Sequence, residues 1–256
     1  MEILKFGVGE RVELCRSALE KRFSIEESGF GRLIILPIPT TKDGVYITGT
    51  ETPLALLSRY IEPGTFLAGY GIPPELVAEA RGLGAVVYDA GKDERFLLDN
   101  ARITAHGALG RMLTETGRDV SELTVGIIGY GRIGSALSEL LLFLGAGVKI
   151  YSSSREKICM LAEAGVFAEE LDGEADFSGL DIIVNTAPES LLPPELVAKL
   201  IDGGVRIIEL ASGNNFSDGR VVRMASVPDR MYPLSAGRLY ANSIAAAIRS
   251  SAKKWG

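Results

Sequence analysis

Short apolar runs that stop on turn residues alternate with helix-like stretches through the first half of the chain. Leu33-Ile34-Ile35-Leu36 ends at Pro37, Thr65-Phe66-Leu67-Ala68 at Gly69, and Ala85-Val86-Val87-Tyr88 at Asp89. Between the last two, Pro73-Pro74-Glu75-Leu76-Val77 starts a helix, because proline is tolerated in a first turn and Glu75 suits the positive end of the helix dipole. Strands alternating with helices predict βαβ units and a parallel sheet. From Asn100 to Thr116 the period changes. Ala105, Ala108, Leu109, Met112 and Leu113 fall at i, i+3, i+4, i+7 and i+8, one apolar helical stripe. Gly117-Arg118-Asp119 breaks that helix, and a new apolar run begins at Leu123.

That run opens the clearest chemical motif, Thr124-Val125-Gly126-Ile127-Ile128-Gly129-Tyr130-Gly131-Arg132-Ile133-Gly134. A lone GxGxxG says little. Here it follows an apolar strand and opens a helix whose stripe is Ile133, Ala136, Leu137, Leu140, Leu141 and Leu144, and a second strand, Val148–Tyr151, comes after. This is the βαβ context in which such a loop holds a dinucleotide. Gly129 permits the tight turn, Gly131 lets a pyrophosphate approach the backbone, and Gly134 lets helix and strand pack closely. Tyr130, Arg132 and Ile133 complete the loop, whose free N–H groups and helix dipole favour the phosphates.

The residues after the second strand speak to which nucleotide binds. An NAD site usually places Asp or Glu there for the ribose 2′-OH. This chain has Ser152-Ser153-Ser154-Arg155. A carboxylate would repel a 2′-phosphate by about 1–4 kcal/mol at 4 Å. Hydroxyls and a guanidinium instead offer neutral donors and a charge-assisted fork, so NADP is expected over NAD. Asp181–Pro188 and Val205–Gly213 each read as a strand followed by small or polar residues. Ligands of doubly wound sheets lie beyond the carboxyl ends of the strands, which puts Thr186, Ala187, Pro188, Ala211 and Ser212 against the cofactor. Asn185 and Ser212 are candidates for hydrogen bonds to the nicotinamide or the substrate.

The expected fold is therefore α/β, with two Rossmann-like, doubly wound parallel-sheet domains and a bridging helix. Residues 1–117 form an N-terminal, flavodoxin-like substrate domain and residues 118–235 the NAD(P)-binding domain. Residues 236–256 form a C-terminal helix that packs back at the domain seam, with Gly237, Tyr240, Ala241, Ile244, Ala245 and Ile248 on one face. Trp255 reads as a terminal packing or contact residue.

Composition narrows the class. The 256 residues are 46% hydrophobic and 23% charged, as in folded soluble domains rather than disordered chains. The longest stretch without Asp, Glu, Lys or Arg, Pro63–Pro74, is broken by proline and glycine, so no membrane helix is expected. The start, Met1-Glu2-Ile3-Leu4-Lys5, lacks the layout of a signal peptide, and a cytoplasmic location is expected. With 27 Lys+Arg against 33 Asp+Glu and no basic run, nucleic acid is not an expected partner. Cys15 and Cys159 form no CxxC pair and read as reduced packing residues. A single histidine, His106, and no Cys/His cluster argue against a zinc site.

Several segments resemble the dehydrogenase-like subunit of dipicolinate synthase, whose family is related to the D-isomer-specific 2-hydroxyacid dehydrogenases. Ile34-Ile35-Leu36-Pro37 and Ile72-Pro73-Pro74-Glu75-Leu76 look like that family's strand and helix start. Asn100-Ala101-Arg102-Ile103-Thr104-Ala105-His106-Gly107 looks like its Asn-x-Ile-Pro-Thr-Ala-Glu-Gly segment, with Ile103 in place of Pro and His106 in place of Glu. Asn185-Thr186-Ala187-Pro188 is similar to its Asn-Thr-Ile-Pro, and Glu209-Leu210-Ala211-Ser212 to its Asp-Leu-Ala-Ser. Pro233-Leu234-Ser235-Ala236-Gly237 with Asn242 resembles its Pro-Lys-Thr-Ala-Gly and the Asn beyond. After Ala211-Ser212 the family's Pro-Gly-Gly is Gly213-Asn214-Asn215 here. The resemblance implies NADP-linked oxidation of a hydroxylated tetrahydrodipicolinate to dipicolinate, in spore formation, alongside a separate flavoprotein-like subunit. A homo-oligomer, a dimer by default, is the expected state for such folds.

Oxidising a saturated ring centre requires a nicotinamide face, a base for the departing proton and donors for the substrate carboxylates. Asn100, Thr104 and His106 are the catalytic candidates, expected around the first turns of the bridging helix, where unpaired N–H groups favour an anion. An imidazole there suits a base near neutral pH, and packing at the domain seam is the alternative role for His106. Two other readings stay open on the residues alone: an NAD(P) dehydrogenase of another small hydroxycarboxylate, and an NADP(H)-binding subunit without turnover.

Overall fold

The computed structural model describes residues 1–22, 29–172, 174–189, 191–211, 213 and 215–252. In chain order its elements are β1 (Glu2–Lys5), α1 (Glu10–Glu20), β2 (Arg32–Ile35), β3 (Thr65–Gly69), α2 (Pro74–Gly82), β4 (Val86–Asp89), α3 (Glu94–Thr116), β5 (Thr124–Ile128) and α4 (Arg132–Phe143). There follow β6 (Gly147–Ser152), α5 (Arg155–Glu163), β7 (Phe167–Glu170), β8 (Ile182–Asn185), α6 (Pro194–Asp202), β9 (Arg206–Glu209), β10 (Val222–Arg223), α7 (Val227–Met231) and α8 (Pro233–Ala252). Two compact units result, one of Met1–Asn100 with Pro228–Gly256, the other of Ala101–Val227.

The first unit carries a four-stranded parallel sheet in the order β1-β2-β3-β4. Side chains alternate across it, as the two-residue repeat of a strand requires. Leu33 and Ile35 of β2 join Phe66 and Ala68 of β3 on one face, under Val12, Cys15 and Leu19 of α1 and Tyr240, Ala241, Ile244, Ala245 and Ile248 of α8. Ile34, Leu36 and Leu67 face the other way, against Leu54, Leu57, Leu76 and Ala80. All six residues expected on the apolar face of α8 are buried.

Helices α1 and α8 meet closely at Gly237. A Cβ added there would lie 2.7 Å from Leu14 Cβ and 3.0 Å from the Arg11 carbonyl oxygen. Overpacking of this kind costs about 1–3 kcal/mol, more than the roughly 1 kcal/mol of helix propensity that alanine returns. Gly237→Ala is therefore expected to lower the urea midpoint, and an unchanged or raised midpoint would show that the helices separate freely.

The second unit holds a six-stranded sheet in the order β10-β9-β8-β5-β6-β7, with every pairing parallel. Numbered within the unit this is 6-5-4-1-2-3, the doubly wound order whose topological switch lies between its first and fourth strands, here β5 and β8. Leu137 and Leu141 of α4 pack with Ala105, Ala108 and Met112 of α3 on one face of the sheet. Tyr151, Phe177, Leu192, Val197 and Phe216 cover the other. Two parallel-sheet α/β units are thus present, as expected from the sequence.

The division between units differs from the expected break near residue 118. It falls inside α3, between Asn100 and Ala101, because Phe96 packs into the first core while Ala105, Ala108 and Met112 pack into the second. Glycine at 117 ends the helix without ending the unit. Residues from Pro228 onward return to the first unit, where α8 lies on α1. Two smaller expectations are corrected as well. Cys15 is a buried packing residue but Cys159 is exposed, since it lies on the solvent side of α5, and Leu113 is 37% exposed at the edge of its stripe. Trp255 lies outside the described residues.

Candidate functional site

The switch point is built from the GxGxxG loop. Gly129 follows β5 with φ +90°, a conformation open to glycine. Its N–H donates to the Tyr151 carbonyl at 2.8 Å, so the turn is pinned to β6. Thr186, just past β8, donates its hydroxyl to the carbonyls of Ile128 and Gly129 at 3.0 and 3.1 Å. Gly134 sits where helix and turn nearly touch: a Cβ there would lie 2.2 Å from the Gly129 oxygen. Only glycine permits that approach.

Gly131 is different. It is the N-cap of α4, with an ordinary φ of −91°, and a Cβ built there would meet nothing within 4 Å. No side chain caps the first turn of α4. The head of the helix therefore presents its first backbone N–H groups and the positive dipole end to open space. That is the cradle a pyrophosphate requires, and the residues present fit it.

Beyond β6 the serines divide their work. Ser152 is 6% exposed and its hydroxyl accepts the Ser154 N–H at 3.1 Å. Ser154 caps α5, accepting from the Lys157 N–H at 3.4 Å, and Ser153 is exposed. Arg155 opens α5 with its side chain 83% exposed, its Nε 3.1 Å from Glu170 Oε2. Lys157, which the sequence reading did not single out, sends its ammonium back to the Tyr130 carbonyl in the GxGxxG loop, at 2.9 Å. The sequence signal for it was weak, since a lysine in the first turn of a helix carries no pattern of its own.

At the carboxyl ends of β8 and β9 lies a buried polar pair, of which the sequence singles out Asn185 as a hydrogen-bond candidate and Glu209 only within a family-like segment. Asn185 and Glu209 are partners in the strand register, 1% and 2% exposed. Glu209 Oε1 accepts from Asn185 Nδ2 and from the Ala211 N–H, both at 3.0 Å. Asn185 in turn grips Ala187, donating to its carbonyl at 3.1 Å and accepting its N–H at 3.2 Å. The turn of Thr186, Ala187 and Pro188 and the residue Ala211 are thereby fixed to the ends of two adjacent strands. Ser212 lies outside the described residues.

Burial holds the Glu209 carboxyl above its ordinary value, opposed by the Ala211 and Asn185 hydrogen bonds, the Asn215 amide and the charge of Arg223. A carboxyl that ionises later in the folded chain than in the unfolded one binds more protons when folded. Native stability therefore falls as pH climbs from the ordinary value of 4.5 through the raised one. Urea melts between pH 4.5 and 7 should show this decline flattened in Glu209→Gln. A decline of equal slope in both proteins would assign it elsewhere.

The catalytic candidates from the sequence are not brought together. Helix α3 starts at Glu94, a turn and a half before Asn100, so Asn100, Thr104 and His106 lie in its interior and the expected anion-binding helix end is not at these residues. Asp93, half-buried, accepts the N–H groups of Arg95 and Phe96 in the first turn instead. Asn100 belongs to the first unit, Thr104 and His106 to the second. Thr104 is buried at 5% exposure and His106 is exposed, about 200° apart around the helix.

Asn100 has an unforeseen partner. Arg11 of α1, only 3% exposed, donates Nη2 to Asn100 Oδ1 at 2.6 Å, places Nη1 3.5 Å from Asp229 and lies over the Phe96 ring. Burial lowers the Arg11 value and raises that of Asp229, each offset by the other's charge. This network ties α1, α3 and α7 together within the first unit. Among the described residues no group of three His, Cys, Asp or Glu side chains is placed to hold a metal ion, and no helix is long and apolar enough to cross a membrane.

The D-isomer specific 2-hydroxyacid dehydrogenase NAD binding domain, as a family profile, matches residues 95–223. The chain belongs to this family. It is an NAD(P)-dependent dehydrogenase, and the matched segment contains the whole loop-and-strand assembly described above. No curated protein sequence matches the chain. Among solved structures it is similar to dipicolinate synthase from Bacillus subtilis, with 21% identity over 98% of this chain and 97% of that one and a TM-score of 0.73. The corresponding protein of dipicolinate synthase from Bacillus halodurans gives 16% identity, 96% and 97% coverage and 0.73. The NAD complex of a D-isomer specific 2-hydroxyacid dehydrogenase from Lactobacillus delbrueckii ssp. bulgaricus gives 14%, 99% and 98%, and 0.53. Identities this low establish a shared fold. The likeness to dipicolinate synthase read from sequence segments extends to the architecture.

Proposed function

We propose that this dehydrogenase uses NADP to oxidise a hydroxylated tetrahydrodipicolinate to dipicolinate, as the resemblance to dipicolinate synthase implies. The observation that carries the nucleotide half of this reading is the open, amide-lined head of α4 at the β5/β8 switch point. The substrate half rests on the family-like segments around Asn100, Asn185, Glu209 and Gly237 and on a neighbour that spans nearly the full length of both chains. The overall change removes a hydride, a proton and a water from the ring, and the nicotinamide, when bound, supplies the hydride acceptor.

The chain's own residues then have distinct tasks. Gly129, Tyr130, Gly131, Arg132, Ile133 and Gly134 hold the pyrophosphate, while Ser152, Ser153, Ser154 and Arg155 receive the 2′-phosphate. Thr186, Ala187, Pro188 and Ala211 form the wall of the nicotinamide half, to which Ser212 is assigned from the sequence alone. His106, exposed on α3, takes the departing proton, the task an imidazole performs in general-base catalysis. Thr104 and Asn100 are hydrogen-bonding candidates on other faces of the same helix, Thr104 buried and Asn100 already engaged by Arg11. The proposed partners are a second copy of the chain and a separate, flavoprotein-like subunit.

The test is absorbance at the reduced-nicotinamide band with NADP and the ring substrate, with and without the flavoprotein-like partner. Growth of that band supports the reading. Nucleotide binding without turnover in both conditions would make this protein a non-catalytic NADP(H)-binding subunit. For the base, His106→Ala is expected to reduce kcat by about 100-fold or more at saturating substrate, and unchanged turnover would remove His106 from the mechanism.

A further inference from the structure

The buried carboxylate at the end of β9 has no task in that scheme. Its Oε1 is doubly engaged by Asn185 and Ala211, yet its Oε2 is buried without a hydrogen-bond partner. Burial of an oxygen of this kind carries a desolvation penalty that raises the carboxyl, while the two donors on Oε1 and the charge of Arg223 oppose that rise and support the anion. The Asn215 amide and the Arg223 guanidinium are the other polar groups that act on it. Arg223 faces solvent and donates to the Phe216 carbonyl, which leaves the negative charge only partly balanced.

Its place in the fold gives that charge a direction. The strand order puts β8 and β9 on the opposite side of β5 from β6. With the pyrophosphate at the head of α4 and the 2′-phosphate beyond β6, the nicotinamide half of the nucleotide lies over the carboxyl ends of β8 and β9. Asn185 and Glu209 are the last residues of those strands. The nicotinamide ring is cationic when oxidised and neutral when reduced. A buried anion acting through protein rather than water distinguishes the two strongly.

We infer that Glu209 sets the redox-state preference of the site, favouring the oxidised nucleotide over the reduced one. Asn185 positions it, because its amide donates to Oε1 while gripping Ala187. The inference rests on the nucleotide-binding reading, and it adds a ligand preference which that reading does not contain.

Dissociation constants for NADP and NADPH test it, by calorimetry for the first and by NADPH fluorescence for the second. The unmodified protein is expected to bind NADP about tenfold more tightly than NADPH. In Glu209→Gln, which keeps the shape and an oxygen for Asn185 and Ala211, NADP should weaken about tenfold while NADPH changes little. If both forms weaken equally in that variant, Glu209 is a structural group only and the inference is overturned. If the variant does not fold, the ratio in the unmodified protein decides: equal affinities, or a preference for NADPH, overturn it. Failure to bind either form overturns the nucleotide-binding reading as well, whereas equal binding of both overturns this inference alone.

Discussion

Gly131→Ala should fold like the parent and bind pyridine nucleotide at least about tenfold more weakly. The residue has an ordinary φ, and its added methyl meets nothing in the protein, so the stability loss should be no more than the roughly 1 kcal/mol by which alanine is the poorer N-cap. That methyl instead projects into the space at the head of α4 where the phosphates must come close to backbone N–H groups. Gly134→Ala gives the opposite signature. Its Cβ would stand 2.2 Å from a backbone carbonyl oxygen, which cannot swing aside as a side-chain tip does. Relief requires α4 to move off the Gly129 turn, and a loss of about 3 kcal/mol or more is expected, with nucleotide binding lost as a consequence. Denaturant melts and titrations on the two variants separate a ligand-contact glycine from a packing glycine. If Gly131→Ala binds nucleotide as the parent does, the phosphates lie elsewhere.

Arg155→Ala is expected to reduce NADP affinity by about 10- to 100-fold and leave NAD affinity nearly unchanged. A charge-assisted hydrogen bond to phosphate contributes about 1.5–3 kcal/mol, which corresponds to that range. The guanidinium is already paired with Glu170, but the pair is exposed, and exposed pairs contribute roughly 0–1 kcal/mol. A 2′-phosphate therefore displaces Glu170 at little cost. Glu170→Gln is expected to tighten NADP modestly, by removing both a competitor and a like charge. Equal loss of NAD and NADP in Arg155→Ala would give the residue a general rather than a selective role.

Much of this fold was legible along the chain because its strands are short, apolar and punctuated. The runs at 33, 65, 85, 124, 148, 182 and 206 all became strands, and the glycine spacing at 129, 131 and 134 announced the turn that the structure builds. What stayed hidden depends on contacts distant in sequence. Helix α3 starts at Glu94 rather than Asn100 because Asp93 caps its first turn and Phe96 packs under α8. No periodicity near Asn100 signals this. Arg11 lies 89 residues from Asn100, and a single arginine in a charged helix looks like a solvated one. Asn185 stood out as a hydrogen-bonding candidate and Glu209 only within a family-like segment, and their pairing follows from β8 and β9 being neighbours, which only the sheet order specifies. Lys157 reaches Tyr130 for the same reason, since β5 and β6 lie side by side.

Titration calorimetry of NADP into the unmodified protein, followed by NAD under the same conditions, tests the central claim most directly. Saturable binding at one site per chain, with NADP at least about tenfold tighter than NAD, is the predicted result. An absence of saturable heat with either nucleotide, on protein that is folded by circular dichroism, would contradict the assignment of the α4 head as a pyrophosphate site.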